Sequence, residues 1–300
     1  MQPFAYTAAH KGKDIRGKLI AGLNLWLGVP PQAALLVTQI VADLHAASLM
    51  LDDIEDNSDM RRGQPAAHIV YGIPQTMNAA NYACSKAYAD LAKLRPFCTV
   101  KSPSLEDILT DEFLSLMRGQ GLDILWRDTH RCPSEEEYLR MINGKASGML
   151  RLGARLMMAC ATANMDKDYS PLMNLIGIYG QIRDDFMNLY STEYTETKGF
   201  ADDISEGKYS FPMIHGIQAN VQDPLLPDIL KARPSTPTLK RKAIDHLRTT
   251  TKSYDYTLVV MQKLEQQTYA EIERLGGNEI LEMLMGFLHV DASKLRTSNK

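Results

Sequence analysis

Leu44-His45-Ala46-Ala47-Ser48-Leu49-Met50-Leu51-Asp52-Asp53-Ile54-Glu55-Asp56 is an apolar helix that runs into four acids. Leu36, Ile40, Leu44 and Leu51 keep helical spacing over residues 33–51. Asp52 and Asp56 then stand one turn apart on one face, with His45 in the same stripe two turns earlier. A helix has no structural reason to end this way. Like charges at i,i+4 cost ~0.2–0.5 kcal/mol per pair, and the partial negative charge of the helix C-terminus adds a similar penalty. A solvated acidic turn is the default for a lone run of this kind. Arg61-Arg62, a few residues on, shifts the balance, because guanidinium forks suit phosphate oxygens. Carboxylates for a divalent cation beside arginines for phosphate point to a diphosphate–metal site, since magnesium takes one or two carboxylates plus substrate phosphates.

Outward from this stretch the same period persists. Leu105, Ile108, Leu109, Phe113, Leu116 and Met117 mark a helix over residues 104–119. Ser134 with Glu137 forms a capping box that opens another, through about Ala163. Further helical stretches cover residues 171–190 and 237–275, and alternating β-branched runs are scarce. The fold class is all-α, with roughly ten or more helices in one domain over residues 1–300. No break is long or low-complexity enough for an interdomain linker, and no solenoid repeat is present.

Gln181-Ile182-Arg183-Asp184-Asp185-Phe186-Met187-Asn188 repeats the acidic geometry on a second apolar helix. Asp184 and Asn188 share a face, with Gln181 one turn before Asp184. Buried carboxylates are costly unless paired or metal-bound. The bland reading is core aspartates satisfied by Arg183 or by caps. Two such clusters on separate helices instead describe a clamp with metal between facing helices. Lys11-Gly12-Lys13-Asp14-Ile15-Arg16 is a basic segment whose default is a solvated turn. Lys145, Lys198 and Lys208 each adjoin a glycine and say little singly, but a diphosphate site needs more cations than two arginines.

Composition limits the alternatives. The formal net charge of −3 gives no electrostatic ground for nucleic-acid binding. Cys84, Cys98, Cys132 and Cys160 show no CxxC pairing or zinc-like spacing, which fits reduced thiols in the cytoplasm. No apolar run reaches the roughly 18 residues of a membrane span, and residues 1–6 lack a signal peptide's apolar stretch.

These segments together resemble the trans-isoprenyl diphosphate synthases. The match is carried by Gly12-Lys13-x-x-Arg16, Leu44-His45 leading into Asp52-Asp53-Ile54-Glu55-Asp56, and Arg61-Arg62-Gly63-Gln64. It continues through Gly119-Gln120-Gly121-Leu122-Asp123, Gln181-Ile182-Arg183-Asp184-Asp185, Lys198-Gly199-Phe200-Ala201-Asp202-Asp203 and Glu206-Gly207-Lys208-Tyr209-Ser210-Phe211-Pro212. The style is that of fungal geranylgeranyl diphosphate synthases. From Gln218 onward there is no motif. The resemblance implies an isoprenoid synthase fold, a single helical bundle around a deep central cavity, working as a homodimer or higher oligomer. It implies that Asp52 and Asp56 hold two Mg2+ ions and Asp184 a third. Lys13, Arg16, His45 and Arg62 are expected on isopentenyl diphosphate. Arg61, Lys145, Gln181, Asn188, Lys198 and Lys208 are expected toward the allylic diphosphate, with Lys145, Gln181 and Lys198 among the catalytic groups. The pattern departs at Asn188, where many members have Asp. It departs again after Lys145, where Ala146-Ser147 replaces Thr-Gly, so that a substrate-facing hydroxyl is missing or displaced to Ser147.

The implied reaction ionises the allylic diphosphate and adds isopentenyl diphosphate, with apolar walls keeping water from the cation. Chain length is expected to depend on Ala47, Ser48, Cys84, Ser85 and Met117. Their small or flexible side chains suggest geranylgeranyl diphosphate or a longer all-trans product. Two other readings remain: a class I terpene cyclase, and a non-catalytic partner subunit. The short lead before Gly12-Lys13 also fits a prenyltransferase domain excised from a longer chain that carries a fused terpene cyclase domain.

Overall fold

A computed structural model of the chain describes residues 1–10, 12, 14–191 and 200–291. Among them fourteen α-helices follow one another. They are α1 (Gln2–Ala9), α2 (Ile15–Leu27), α3 (Pro31–Glu55), α4 (Ala67–Tyr71), α5 (Ile73–Leu94), α6 (Leu105–Asp128) and α7 (Glu135–Ala159). Then come α8 (Ser170–Tyr190), α9 (Asp202–Glu206), α10 (Phe211–Ala219), α11 (Leu225–Ala232), α12 (Pro237–Thr249), α13 (Ser253–Leu275) and α14 (Glu279–Leu288). The all-α expectation is met. A two-strand hairpin is the exception, with Met60–Arg61 (β1) antiparallel to Gln64–Pro65 (β2).

Local chemistry explains the boundaries. Ser134 caps α7 with its side chain on the Glu137 N–H while Glu137 reaches back, as the spacing predicts, and Ser104 with Asp107 does the same for α6. Proline in the first turn starts α3, α5, α8, α10 and α12. The hairpin turn Arg62-Gly63 has positive φ at both residues, +54° and +75°, the backbone of a tight two-residue loop. Its strands are too short for an alternating pattern to reveal.

The core runs through α2, α3 and α5–α8 and continues into α13 and α14. Two glycines set how closely the site-bearing helices approach. A methyl at Gly119 of α6 would lie 2.7 Å from the Lys145 nitrogen and 2.8 Å from the Met141 carbonyl of α7. A methyl at Gly177 of α8 would lie 2.6 Å from the Ser147 Cα. A second, smaller cluster gathers Ala47, Met50, Ala67, Ala79, Ala80 and Ala83 between α3, α4 and α5.

One expectation is corrected. By length and composition α3 is apolar enough to cross a membrane. It packs as a core helix, burying Val37, Ile40, Leu44 and Ala47, and it carries Asp43 and the acidic cluster.

Candidate active site

The acids that end α3 do not face solvent alone. The hairpin turns Arg61 back on them: its Nε donates to Asp53 Oδ1 at 2.6 Å and its Nη2 to Asp52 Oδ2 at 2.9 Å. From α6, Arg127 donates to Asp56 Oδ1 at 2.6 Å and to the Glu55 carbonyl at 3.0 Å, which offsets the helix-end penalty directly. Gln120 donates to Glu55 Oε2 at 2.7 Å and to Asp52 Oδ1 at 3.3 Å. From α7, Lys145 reaches Asp123 Oδ2 at 2.7 Å and approaches Asp52 Oδ1 at 3.6 Å. Lys208, just beyond α9, lies 2.5 Å from Asp56 Oδ2 and 2.7 Å from Glu206 Oε2. Ser58 donates to the other oxygen of Glu206 at 2.6 Å.

Among these described contacts four cations (Arg61, Arg127, Lys145, Lys208) face six carboxylates (Asp52, Asp53, Glu55, Asp56, Asp123, Glu206), a surplus of two negative charges. Asp202, Asp203 and Asn188 line the same cleft beside Asp52, Arg61, Glu206 and Lys208. Burial pushes the Asp56 carboxyl up to about 6 although Lys208 pulls the other way. Burial works to lower the Lys208 ammonium, but Glu206, Asp56 and Asp52 outweigh it and hold the group well above its usual range. Lys145 is raised in the same way, by Asp123 and Asp52 against burial.

On α8 the paired aspartates part ways. Asp185 is buried and accepts from Tyr138 OH, the Phe211 N–H and Gln181 Nε2, which stands at 2.8 Å. Burial raises this carboxyl to about 6, with those hydrogen bonds opposing. Asp185 therefore fits the structural reading of a satisfied core acid, with Tyr138 and Phe211 in place of the expected Arg183. The Arg183 Nε goes instead to the Leu288 carbonyl at 2.6 Å. Asp184, half-buried, lies one turn from Asn188, whose Oδ1 accepts the Asp203 N–H at 3.3 Å.

A second, cationic group lies on the other side of the hairpin. Arg16 Nη1 and His45 Nε2 are 3.0 Å apart. Arginine only donates, so this ring nitrogen accepts and His45 is neutral with its proton on Nδ1. Burial, then Arg16 and Arg62, depress His45 well below its usual value. Arg62 donates to the His10 carbonyl, and its guanidinium lies under Gly12, where an added methyl would come within 2.9 Å of Cζ. Arg16 Nε is buried and has no hydrogen-bond partner among the described residues. A buried, underpartnered donor in a crowd of cations suits an anion.

The structure thus brings Asp52, Asp56, Arg61, Lys145, Asn188 and Lys208 together, and Arg16, His45 and Arg62 beside them. Gln181 bonds Asp185, which also accepts from Tyr138 and the Phe211 N–H. Lys13 and Lys198 lie outside the described residues. Ser147 does not replace the displaced hydroxyl: it is buried and donates to the Asn174 carbonyl at 3.3 Å, against Gly177. The chain-length residues divide. Ala47 is 1% exposed in the alanine cluster, Cys84 touches both clusters, and Met117 packs on the larger core. Ser48 donates to the His45 carbonyl. Ser85 is exposed on α5 and bonds the Asn81 carbonyl, so within one chain it lines no interior wall. Where an open cavity is expected, the small side chains of α3 and α5 close against one another. Arg127 lies outside every motif, since a single charged residue remote in sequence leaves no periodic signal, and Glu206 stands inside a motif that gave it no role of its own.

The description Polyprenyl synthetase matches residues 1–247 of the chain. A geranylgeranyl pyrophosphate synthase of Hericium erinaceus is 44% identical over 308 residues, covering 96% of this chain and 91% of that protein. One of Mucor circinelloides f. lusitanicus is 44% identical, covering 98% and 94%. IDS-like terpene synthase 1 of Melampsora lini is 45% identical, covering 98% and 89%. Fold, motif order and family match agree on the class, a trans-prenyltransferase that lengthens prenyl diphosphates. The chain belongs to the polyprenyl synthetase family. Enzymes of this family generally use Mg2+.

Proposed function

We propose that the chain elongates an allylic diphosphate with isopentenyl diphosphate to geranylgeranyl diphosphate or a longer all-trans product. The carrying observation is the gathering of carboxylates from α3, α6 and α9 with Arg61, Lys145 and Lys208 in one cluster, set beside the separate Arg16–His45–Arg62 group. Carboxylate oxygens suit magnesium, and Asp52 of α3 lines one cleft with Asp202, Asp203 and Glu206 of α9. Asp52 and Asp56 are proposed to hold two Mg2+ and Asp184 a third. Bound there, the ions supply Lewis-acid neutralisation of the leaving diphosphate.

The protein's own groups perform the rest. Arg61, Lys145 and Lys208 are now held on carboxylates at 2.5–3.6 Å and would exchange them for phosphate oxygens, with Lys198 and Asn188 joining on the allylic side. Gln181, already tied to Asp185, is positioned to turn toward the same substrate. Arg16, His45 and Arg62, with Lys13, orient isopentenyl diphosphate so that its double bond faces the allylic carbon. The apolar side chains below Asp52 keep water from the developing cation. We place chain-length control at Ala47, Ser48, Cys84 and Met117, and the reaction in the cytoplasm within one domain.

A homodimer is the proposed assembly. Ile73, Met77 and Tyr88 leave an exposed apolar stripe on α5, and Leu114 and Leu125 one on α6, adjoining where Tyr88 meets Thr110. A terpene synthase reading has a specific motive in the Melampsora relative. The intact Arg16–His45–Arg62 group argues against it, because a cyclase handles a single diphosphate. Incubation with labelled isopentenyl diphosphate and each allylic primer, with and without Mg2+, tests the choice. Label in a C20 or longer diphosphate supports elongation. Hydrocarbon formed from the primer alone, with the label untouched, overturns it.

A further inference from the structure

α9 has five residues, too few to hold a helix without tertiary support, yet it carries Asp202, Asp203 and Glu206 to the cleft and leads into Lys208. Its support comes from the part of the chain without a motif. Lys240 of α12 is 5% exposed, and its Nζ donates to the Phe200 carbonyl at 2.6 Å. Arg241, next on α12, stands 5.9 Å from the Phe200 ring. Ser205 donates to the Pro234 carbonyl at 3.1 Å. Gly207, at φ +74°, passes so close to Arg233 that an added methyl would lie 2.9 Å from its Nε. Residues 230–241 therefore grip both ends of the 200–207 segment.

Burying an ammonium is expensive unless something selects the charge, and an apolar side chain would pack α12 at less cost. Here the selecting groups are Asp202 and Glu206, which oppose the lowering that burial imposes on Lys240. The ammonium sits behind the acidic wall rather than in the cleft. Lys240 is absent from the residues lining that cleft, so it acts through what it holds.

We propose that Lys240 is a positioning residue whose hold on the Phe200 carbonyl sets where α9 and Lys208 meet the allylic diphosphate. The inference rests on the prenyltransferase reading above.

The test uses the full chain and K240M, which keeps the apolar stem, with K240R as the conservative variant and K242A, at an exposed position of α12, as control. Michaelis constants for farnesyl and isopentenyl diphosphate are measured, together with amide exchange by mass spectrometry. K240M is expected to raise KM for the allylic primer about tenfold, the effect of losing one charged hydrogen bond, while KM for isopentenyl diphosphate stays within about twofold. Exchange should quicken in Phe200–Lys208 without Mg2+ or substrate and stay unchanged in α3 and α7. K240R should recover most of both effects, and K242A should show little of either. Unchanged constants and exchange in K240M, or an equal rise in both constants with exchange unchanged, overturn the proposal. Should K240M fail to accumulate, K240Q is read by the same criteria. A wild-type chain that consumes no isopentenyl diphosphate defeats the prenyltransferase reading instead, while the exchange result still decides the role of Lys240.

Discussion

Replacing Arg127 by Met removes the cation that meets Asp56 Oδ1 at 2.6 Å and the donor that meets the Glu55 carbonyl at 3.0 Å. Asp56 is 7% exposed and Arg127 6%, so the abandoned carboxylate lies in poor solvent. Breaking a buried pair costs about 3–5 kcal/mol, and Lys208, still 2.5 Å from Oδ2, should hold the loss to about 3 kcal/mol. The sign of the pH dependence follows from Asp56. Its carboxyl already stands near 6, and loss of Arg127 raises it further. Above that value the variant carries an ionised, half-paired acid and shows the full loss. Below about 6 both proteins protonate Asp56, and the electrostatic part disappears, leaving about 1 kcal/mol for the lost carbonyl bond. Urea unfolding followed by circular dichroism, in EDTA so that no metal substitutes for the arginine, gives the midpoints near pH 8 and pH 5. Equal losses at the two pH values, or a loss under about 0.5 kcal/mol at pH 8, would refute the reasoning.

Gly177→Ala should destabilise by about 1–3 kcal/mol, because its methyl would fall 2.6 Å from the Ser147 Cα on a neighbouring helix. A melting temperature equal to wild type would contradict that. Ala47→Phe should shift the product toward farnesyl diphosphate, since Ala47 sits sealed among Met50, Ala79, Ala80 and Ala83 below Asp52. An unchanged product mass removes Ala47 from chain-length control. His215 is kept neutral by burial, with Glu135 opposing, and bonds Ser253 at 2.9 Å. The unfolded chain protonates it below about 6.5, so stability falls as pH drops through that value. Wild type should lose about 0.5–1 kcal/mol more than His215→Asn between pH 7.5 and 5.5, allowing for screening of a partly exposed ring. Parallel stability curves would contradict this.

The two acidic helices were legible because period and charge conflict there: Asp52 and Asp56 violate what a helix end prefers, and Asp184 repeats the violation. The capping box at Ser134 fixed the start of α7 by local chemistry alone. The rest lay in long-range pairing. Arg127 meets Asp56 across 71 residues and Glu206 meets Ser58 across 148, and no local pattern encodes either. Asp184 and Asp185 read as a pair, although adjacent helix positions point about 100° apart and only Asp185 turns to Tyr138. Which of the two alternatives holds at Ser147 was not legible, because facing Gly177 depends on how α7 and α8 pack. The small residue Ala47 suggested space, but closed helix packing uses small residues equally well.

The central claim is that carboxylates of α3 and α8 share metal around one diphosphate. Diffraction from crystals grown with Mg2+, isopentenyl diphosphate and an unreactive allylic thiodiphosphate tests it most directly. The account predicts metal bridging Asp52 and Asp56 to the thiodiphosphate with a further ion on Asp184, Lys145 and Lys208 moved onto phosphate oxygens, and isopentenyl diphosphate on Arg16, His45 and Arg62. Asp52 and Asp56 still held by Arg61, Lys145, Arg127 and Lys208, with the ligand bound elsewhere and no metal between the helices, would contradict it.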